Sequence, residues 1–238
     1  MSTQNIMFSQ STTEPSLSAG FREKARVFIY RNRAVAFLEL LMFALLFAVP
    51  FFTFSSGILG FPFVLLMLWL RKSNIQDLGL RRPSSWFKTV VLAVGAVILI
   101  LTVQALLIQP LLRHMFPQPP DFSRFHNLNP YHLVAWIAAG WVMGGFMEEL
   151  IRAYLIYRIV DLVGNSRAGW ICAVVVSSLF YALNHLYQGF AGAIGVVVSC
   201  VGFGFLYLLR KRNLWSNIIC HGLNDTLAFI GVFLGTVR

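Results

Sequence analysis

The sequence predicts an all-α protein, a polytopic transmembrane bundle of about 7–8 membrane helices, because several apolar runs reach the roughly 18 residues that a spanning helix needs. Composition agrees: 58% of the 238 residues are hydrophobic and only 12% are charged, with a mean hydropathy of +0.71. The formal charge of +10 sits in short segments between the apolar runs, as in cytoplasmic loops under the positive-inside rule. No basic face or recognition motif accompanies that charge, which speaks against nucleic acid as a partner. The lipid bilayer is the expected surrounding. The expected location is a bacterial plasma membrane with the N-terminus cytoplasmic.

Taken in order, residues 1–33 are expected to be a disordered, basic tail. Residues 1–20 are rich in Ser, Thr and Gln and hold too little apolar surface to order themselves. Arg22, Lys24, Arg26, Arg31 and Arg33 then approach the membrane, near anionic lipid. No cleavable signal pattern is expected there. Residues 34–130 should form N-terminal membrane helices and a polar loop. The spans are read as 34–54, 58–70 and 89–112, with Pro50, Gly57, Gly60 and Pro62 marking the first turn. Pro117, Pro119 and Pro120 keep the loop before Pro130 from being helical. Residues 131–238 should form the working membrane core. A helix over 131–146 is expected to break or bend at Gly144-Gly145, restart near Met147 and stop near Gly164-Asn165. Spans follow at 168–187, 190–209 and 214–234. Cys172, Cys200 and Cys220 all lie within apolar runs, and an odd count without paired spacing suggests packing residues rather than disulfides.

Three polar clusters interrupt the core. Glu148, Glu149 and Arg152 come first, and charge at membrane depth usually marks a working site. Arg152 follows Glu148 by four residues and Glu149 by three, so it can reach either. Adjacent helical residues point about 100° apart. One glutamate can therefore pair with Arg152 while the other faces a cavity and serves as a base toward water. The second cluster is Tyr181 to His185. The third is His221-Gly222-Leu223-Asn224-Asp225, whose four-residue spacing stacks His221 and Asp225 on one face. Together these clusters form a set able to activate water. Two routes stay open: a divalent metal such as zinc held by imidazole and carboxylate, or a metal-free Glu/His mechanism with the other donors stabilising an oxyanion. No histidine pair has the HExxH separation of a zinc helix.

This order of motifs resembles the CPBP family, also called Abi: CAAX-processing and bacteriocin-processing intramembrane proteases. The order is Glu-Glu with Arg, then aromatic-x-x-x-His, then His-x-x-x-Asp. The pattern covers Phe146 to Phe229, roughly a third of the chain. The resemblance implies an endopeptidase, often labelled a metalloprotease, acting on membrane-associated peptides or proteins such as CAAX ends or leader peptides. By position, it implies that Glu148 is the base, supported by Glu149 and Arg152. His185 would share water activation, with Tyr181 in the aromatic place. His221 and Asp225 would polarise the scissile carbonyl, with Asn224 beside them. The chain has one residue fewer between its second glutamate and the arginine than the family's usual first motif. Aligning on Arg152 makes either Glu148 or Glu149 the base, or leaves the site inactive.

Two rival readings follow: a catalytically inactive immunity or scaffold protein of the same fold, and a proton-coupled transporter, for which no repeat symmetry is visible. Depth also constrains the site. Counted from their helix starts, His221 lies roughly 10 Å and His185 roughly 25 Å into the membrane. The two meet only if the turn at Gln188-Gly189 is submerged inside protein. Glu39 is expected at the interface, and His114, His126 and His132 show no ligand spacing.

Overall fold

The computed structural model describes residues 20–48, 56–116, 118–122 and 129–236. Every regular element among them is helical. The α-helices are α1 (Phe21–Arg31), α2 (Arg33–Ala48), α3 (Ser56–Leu70), α4 (Trp86–Val103), α5 (Gln109–Met115), α6 (Pro130–Ala139), α7 (Glu149–Val163), α8 (Arg167–Asn184), α9 (Gly189–Leu209) and α10 (Trp215–Phe233). Two π-helical segments, Gln104–Ile108 and Gly140–Glu148, join α4 to α5 and α6 to α7 without a break. Among the described residues, four continuous helices are long and apolar enough to cross a membrane: Trp86–Met115, Pro130–Val163, Arg167–Asn184 and Leu186–Leu209.

The sequence shows why several of these helices begin and end where they do. Ser85, Asn129 and Ser166 each accept a backbone N–H of the first turn that would otherwise be unpaired. Pro130 stands at the first position of α6, where its missing N–H costs nothing. Gly164, at φ +100°, ends α7 in a backbone region open to glycine.

Four expectations need correction. The basic tail is not wholly without order: Phe21–Arg31 form a helix, with Val27 buried against the bundle. Gly57, Gly60 and Pro62 lie inside α3 rather than in a turn, while Pro50 falls outside the described residues. The chain does not break at Gly144-Gly145. It widens into π geometry, which occurs often at functional sites. Glu39 is buried, not interfacial.

The glycines serve close approach instead. A Cβ on Gly144 would stand 2.4 Å from Asp225 Oδ2, and one on Gly145 would stand 3.0 Å from the Ile218 carbonyl. Opposite them, a Cβ on Gly222 would lie 2.6 Å from the Trp141 ring. Small residues thus bring the π segment and α10 into near-backbone contact, the usual device for helix association in lipid.

α7 is the axis of the bundle. Its residues 149 to 160 are all buried, enclosed by α2, α3, α8 and the π segment. Toward its C-terminal end it carries a second polar network. Arg71 Nη2 donates to Glu39 Oε1 (2.5 Å) and its Nη1 to the Tyr154 hydroxyl (2.7 Å). Tyr154 in turn donates to Glu39 Oε2 (2.6 Å). Arg158 pairs with Asp161.

Gly222→Ala should lower stability by about 1–3 kcal/mol, the usual range for overpacking, because Trp141 is held by its bond to Thr226 Oγ1. Gly95→Ala, whose Cβ meets nothing within 4 Å, should leave stability unchanged or slightly higher. Thermal unfolding of the two variants in the same detergent checks the contrast.

Candidate functional site

The site is built where α7 and its π segment meet α8 and α10. Glu149 opens α7 and is 1% exposed. Burying a carboxylate this far demands full compensation, and its neighbours supply it. Arg152 Nη1 donates to Oε1 (2.6 Å), His221 Nδ1 lies 2.8 Å from the same oxygen, and Asn217 Nδ2 donates to Oε2 (3.1 Å). Because Glu149 can only accept in this ion pair, His221 Nδ1 carries the proton of that contact.

Arg152 is itself locked. Its guanidinium lies over the Tyr181 ring at 4.5 Å and the Phe203 ring at 5.3 Å, and Nη2 donates to Cys200 Sγ (3.1 Å). Tyr181 is buried and donates its hydroxyl to the Glu148 carbonyl (2.6 Å), at the junction of π and α geometry. The aromatic of the second motif therefore touches two members of the first, Glu148 and Arg152.

Glu148 behaves differently from its neighbour. It is half-buried, and among the described residues its carboxylate has no hydrogen-bond donor. It lies within Coulombic range of His221, Asp225 and Arg152. The two adjacent glutamates are thus divided: Glu149 takes the donors and Glu148 is left without one among the described residues.

His185 caps α8, and its Nδ1 lies 2.9 Å from the Tyr181 carbonyl. A carbonyl only accepts, so Nδ1 carries the proton and Nε2 presents a lone pair. Tyr187 stacks on the ring at 5.9 Å. His185 and His221 come within Coulombic range of each other, although they start from very different depths. In the turn between α8 and α9, Gln188 is buried and its carbonyl accepts from the Asp121 backbone, while Leu186, Gly189 and Phe190 are exposed.

On α10, His221 stacks on Phe203 at 4.8 Å and turns Nε2 toward Asp225 Oδ1 at 3.6 Å. That separation exceeds a hydrogen bond, so Nε2 has room for another acceptor. Asn224 is half-buried beside Asp225. The structure therefore brings together Glu148, Glu149, Arg152, Tyr181, His221 and Asp225, with His185 at the edge. His114 and His132 are exposed and belong to no cluster. His126 lies outside the described residues.

Sequence reasoning missed Asn217. It is fully buried, and its amide bridges Glu149 Oε2 and the Phe203 carbonyl (2.7 Å). Its signal was available: Asn217, His221 and Asp225 follow one another at four-residue steps on one face of α10. Cys200, read as a packing residue, is buried and also holds the arginine.

The donor set does not fit a metal ion. Among the described residues, no group of three or more His, Cys, Asp or Glu converges as a metal site would require. The reason lies in the contacts already given. His221 Nδ1 and both Glu149 oxygens are engaged, and the Arg152 cation touching Glu149 opposes a dication there. No catalytic step is routed through a metal here.

Two substitutions should separate by size. Arg152→Met leaves Glu149 without its cation and should cost about 3–5 kcal/mol, whereas Asn217→Leu removes one hydrogen bond to a charged group and should cost about 1.5–3 kcal/mol. Denaturation in detergent micelles measures both, and a reversed order would show that Glu149 does not depend chiefly on the arginine.

Compared with known families, residues 130–227 match the family model described as Rce1-like, type II CAAX prenyl endopeptidase Rce1-like. The matched segment contains every residue of the site. Neither the curated proteins nor the solved structures gave a match.

Proposed function

From the match of residues 130–227 to the Rce1-like type II CAAX prenyl endopeptidase family model, we propose that this chain is an intramembrane endopeptidase of that kind. The substrate is a membrane-associated peptide or protein, of CAAX or leader-peptide type. The observation that carries this reading is the unequal treatment of the two glutamates. A carboxylate without donors, within Coulombic range of a histidine from another helix, His221, is the arrangement a general base needs.

In the proposed step, water is held between Glu148 and His185 Nε2. Its oxygen attacks the scissile carbonyl carbon as Glu148 takes a proton. The carbonyl oxygen becomes an oxyanion facing His221, whose Nε2–H, beside Asp225, donates to it while Glu149 holds the ring from the other side at Nδ1. The tetrahedral intermediate collapses, the C–N bond breaks, and the proton on Glu148 passes to the leaving amine. Glu149, Arg152 and Asn217 touch no reacting atom; they position His221.

The test is cleavage of a membrane-anchored peptide by full-length protein reconstituted in vesicles. Glu148→Gln and His185→Gln should each lose about 10²–10⁴-fold in turnover while keeping the melting temperature of the parent. Glu149→Gln should lose turnover and stability together, because it removes the charge that Arg152 needs. Unimpaired cleavage by Glu148→Gln would sink the mechanism. A parent protein that cleaves nothing, with a cellular effect preserved in Glu148→Gln, would favour the inactive scaffold reading.

A further inference from the structure

Glu148 and His185 stand on different helices, and Tyr181 bonds to both, through different atoms. Packing fixes its place on α8. The side chain is 1% exposed, its ring lies 5.2 Å from the Phe47 ring, and the Arg152 guanidinium sits over it at 4.5 Å. These contacts use the ring alone, and a phenylalanine would keep them. The hydroxyl is a further polar group at a buried position, which is unfavourable unless it is bonded. It donates to the Glu148 carbonyl (2.6 Å).

Both bonds fall where a backbone ladder changes. Gly140–Glu148 are π-helical and α7 begins at Glu149. At that junction the Glu149 N–H donates to the Phe146 carbonyl. A ladder passing from i+5 to i+4 bonding can make the change one residue earlier or later, and each residue of slip turns a side chain by about 100°. The Tyr181 hydroxyl grips the backbone of Glu148 itself and so favours one position of the junction. The second bond follows from the end of α8, where a helix leaves its last carbonyls without partners. His185 departs from helical geometry at φ −109°, ψ 10°, and its N–H donates to the Ala182 carbonyl (3.0 Å). The Tyr181 carbonyl, one residue farther back, is taken by the imidazole, whose Nδ1 lies 2.9 Å away.

We propose that Tyr181 is the positioning residue of the water-activating pair. Its hydroxyl holds the Glu148 backbone so that the carboxylate keeps one direction, and its carbonyl keeps the His185 ring in the tautomer with a lone pair on Nε2. Tyr181 touches no reacting atom. The inference rests on the reading of Glu148 and His185 as that pair, and it gives the hydroxyl a task that ring packing does not perform. What the hydroxyl supplies is the orientation of a base rather than affinity for substrate, so its loss belongs in turnover.

The test is Tyr181→Phe in full-length protein. Cleavage of a membrane-anchored peptide is measured in vesicles, together with amide hydrogen exchange over residues 146–153. The variant should fold, since every ring contact is kept. Its kcat should fall about tenfold, the size of one ordinary hydrogen bond, with KM unchanged, and residues 146–153 should exchange faster than in the parent. In a Glu148→Gln background the same change should cause no further loss, because the base it orients is gone. A residue that only packs would cause the same loss in both backgrounds. Full turnover in Tyr181→Phe, equal losses in the two backgrounds, or a variant that does not fold overturns the proposal. A parent protein that cleaves nothing removes the protease reading instead, and exchange then decides for the hydroxyl. Faster exchange over 146–153 supports its hold on the junction, and unchanged protection there overturns it.

Discussion

Everything at the centre of this molecule depends on how one carboxylate, Glu149, is kept as an anion away from water. Three donors from two helices converge on it: Arg152 from its own helix, Asn217 and His221 from α10. Removing any of them leaves charge or polarity stranded in a buried site, which is why the group acts as a fixed point. Its consequences reach the neighbouring residue. Once Glu149 is fixed inward, backbone geometry sends Glu148 about 100° away, clear of the donors that hold Glu149.

The fixed point requires α10 to come very near the π segment, and the small residues permit it. Gly140, Gly144 and Gly145 on one side and Gly222 on the other remove the Cβ atoms that would collide. Farther along α7, the Glu39–Arg71–Tyr154 network ties the same helix to α2 and α3. α7 is thus held by polar contacts at two levels, with apolar side chains between and around them. In a bilayer, where apolar association alone gives little net drive, such paired polar contacts and close backbone packing define helix position.

Much of this was legible in the sequence. Apolar length and the placing of the cations gave the membrane helices, and capping residues such as Ser166 and the stop at Gly164 gave boundaries. The division of the glutamates was foreseen from their 100° offset. What escaped shares one physical cause: it depends on partners distant in the chain. Glycine is locally a helix breaker, so Gly144-Gly145 read as a bend; only Asp225 and Ile218 opposite show that they are contact surfaces. Glu39 near a helix start read as interfacial, because Arg71 and Tyr154 lie far along the chain. The basic run before Arg33 read as unordered, since the latch between Glu23 and Lys72 is likewise invisible locally.

The shortened first motif can now be weighed physically. Arg152 stands three residues after Glu149 and four after Glu148, and either spacing brings helical side chains together. The arginine alone therefore cannot decide which glutamate is tied down. The other two donors decide. Asn217 and His221 approach from α10 and both land on Glu149, and Arg152, also engaged with Cys200 and stacked on Tyr181, completes the set. Glu148 is left over because no donor of α10 bonds to it, whatever the arginine spacing. A one-residue change beside the arginine is thus absorbed as long as the i+3 pair closes, which it does at 2.6 Å. Which glutamate is tied down in this chain is governed by the third motif more than by the first.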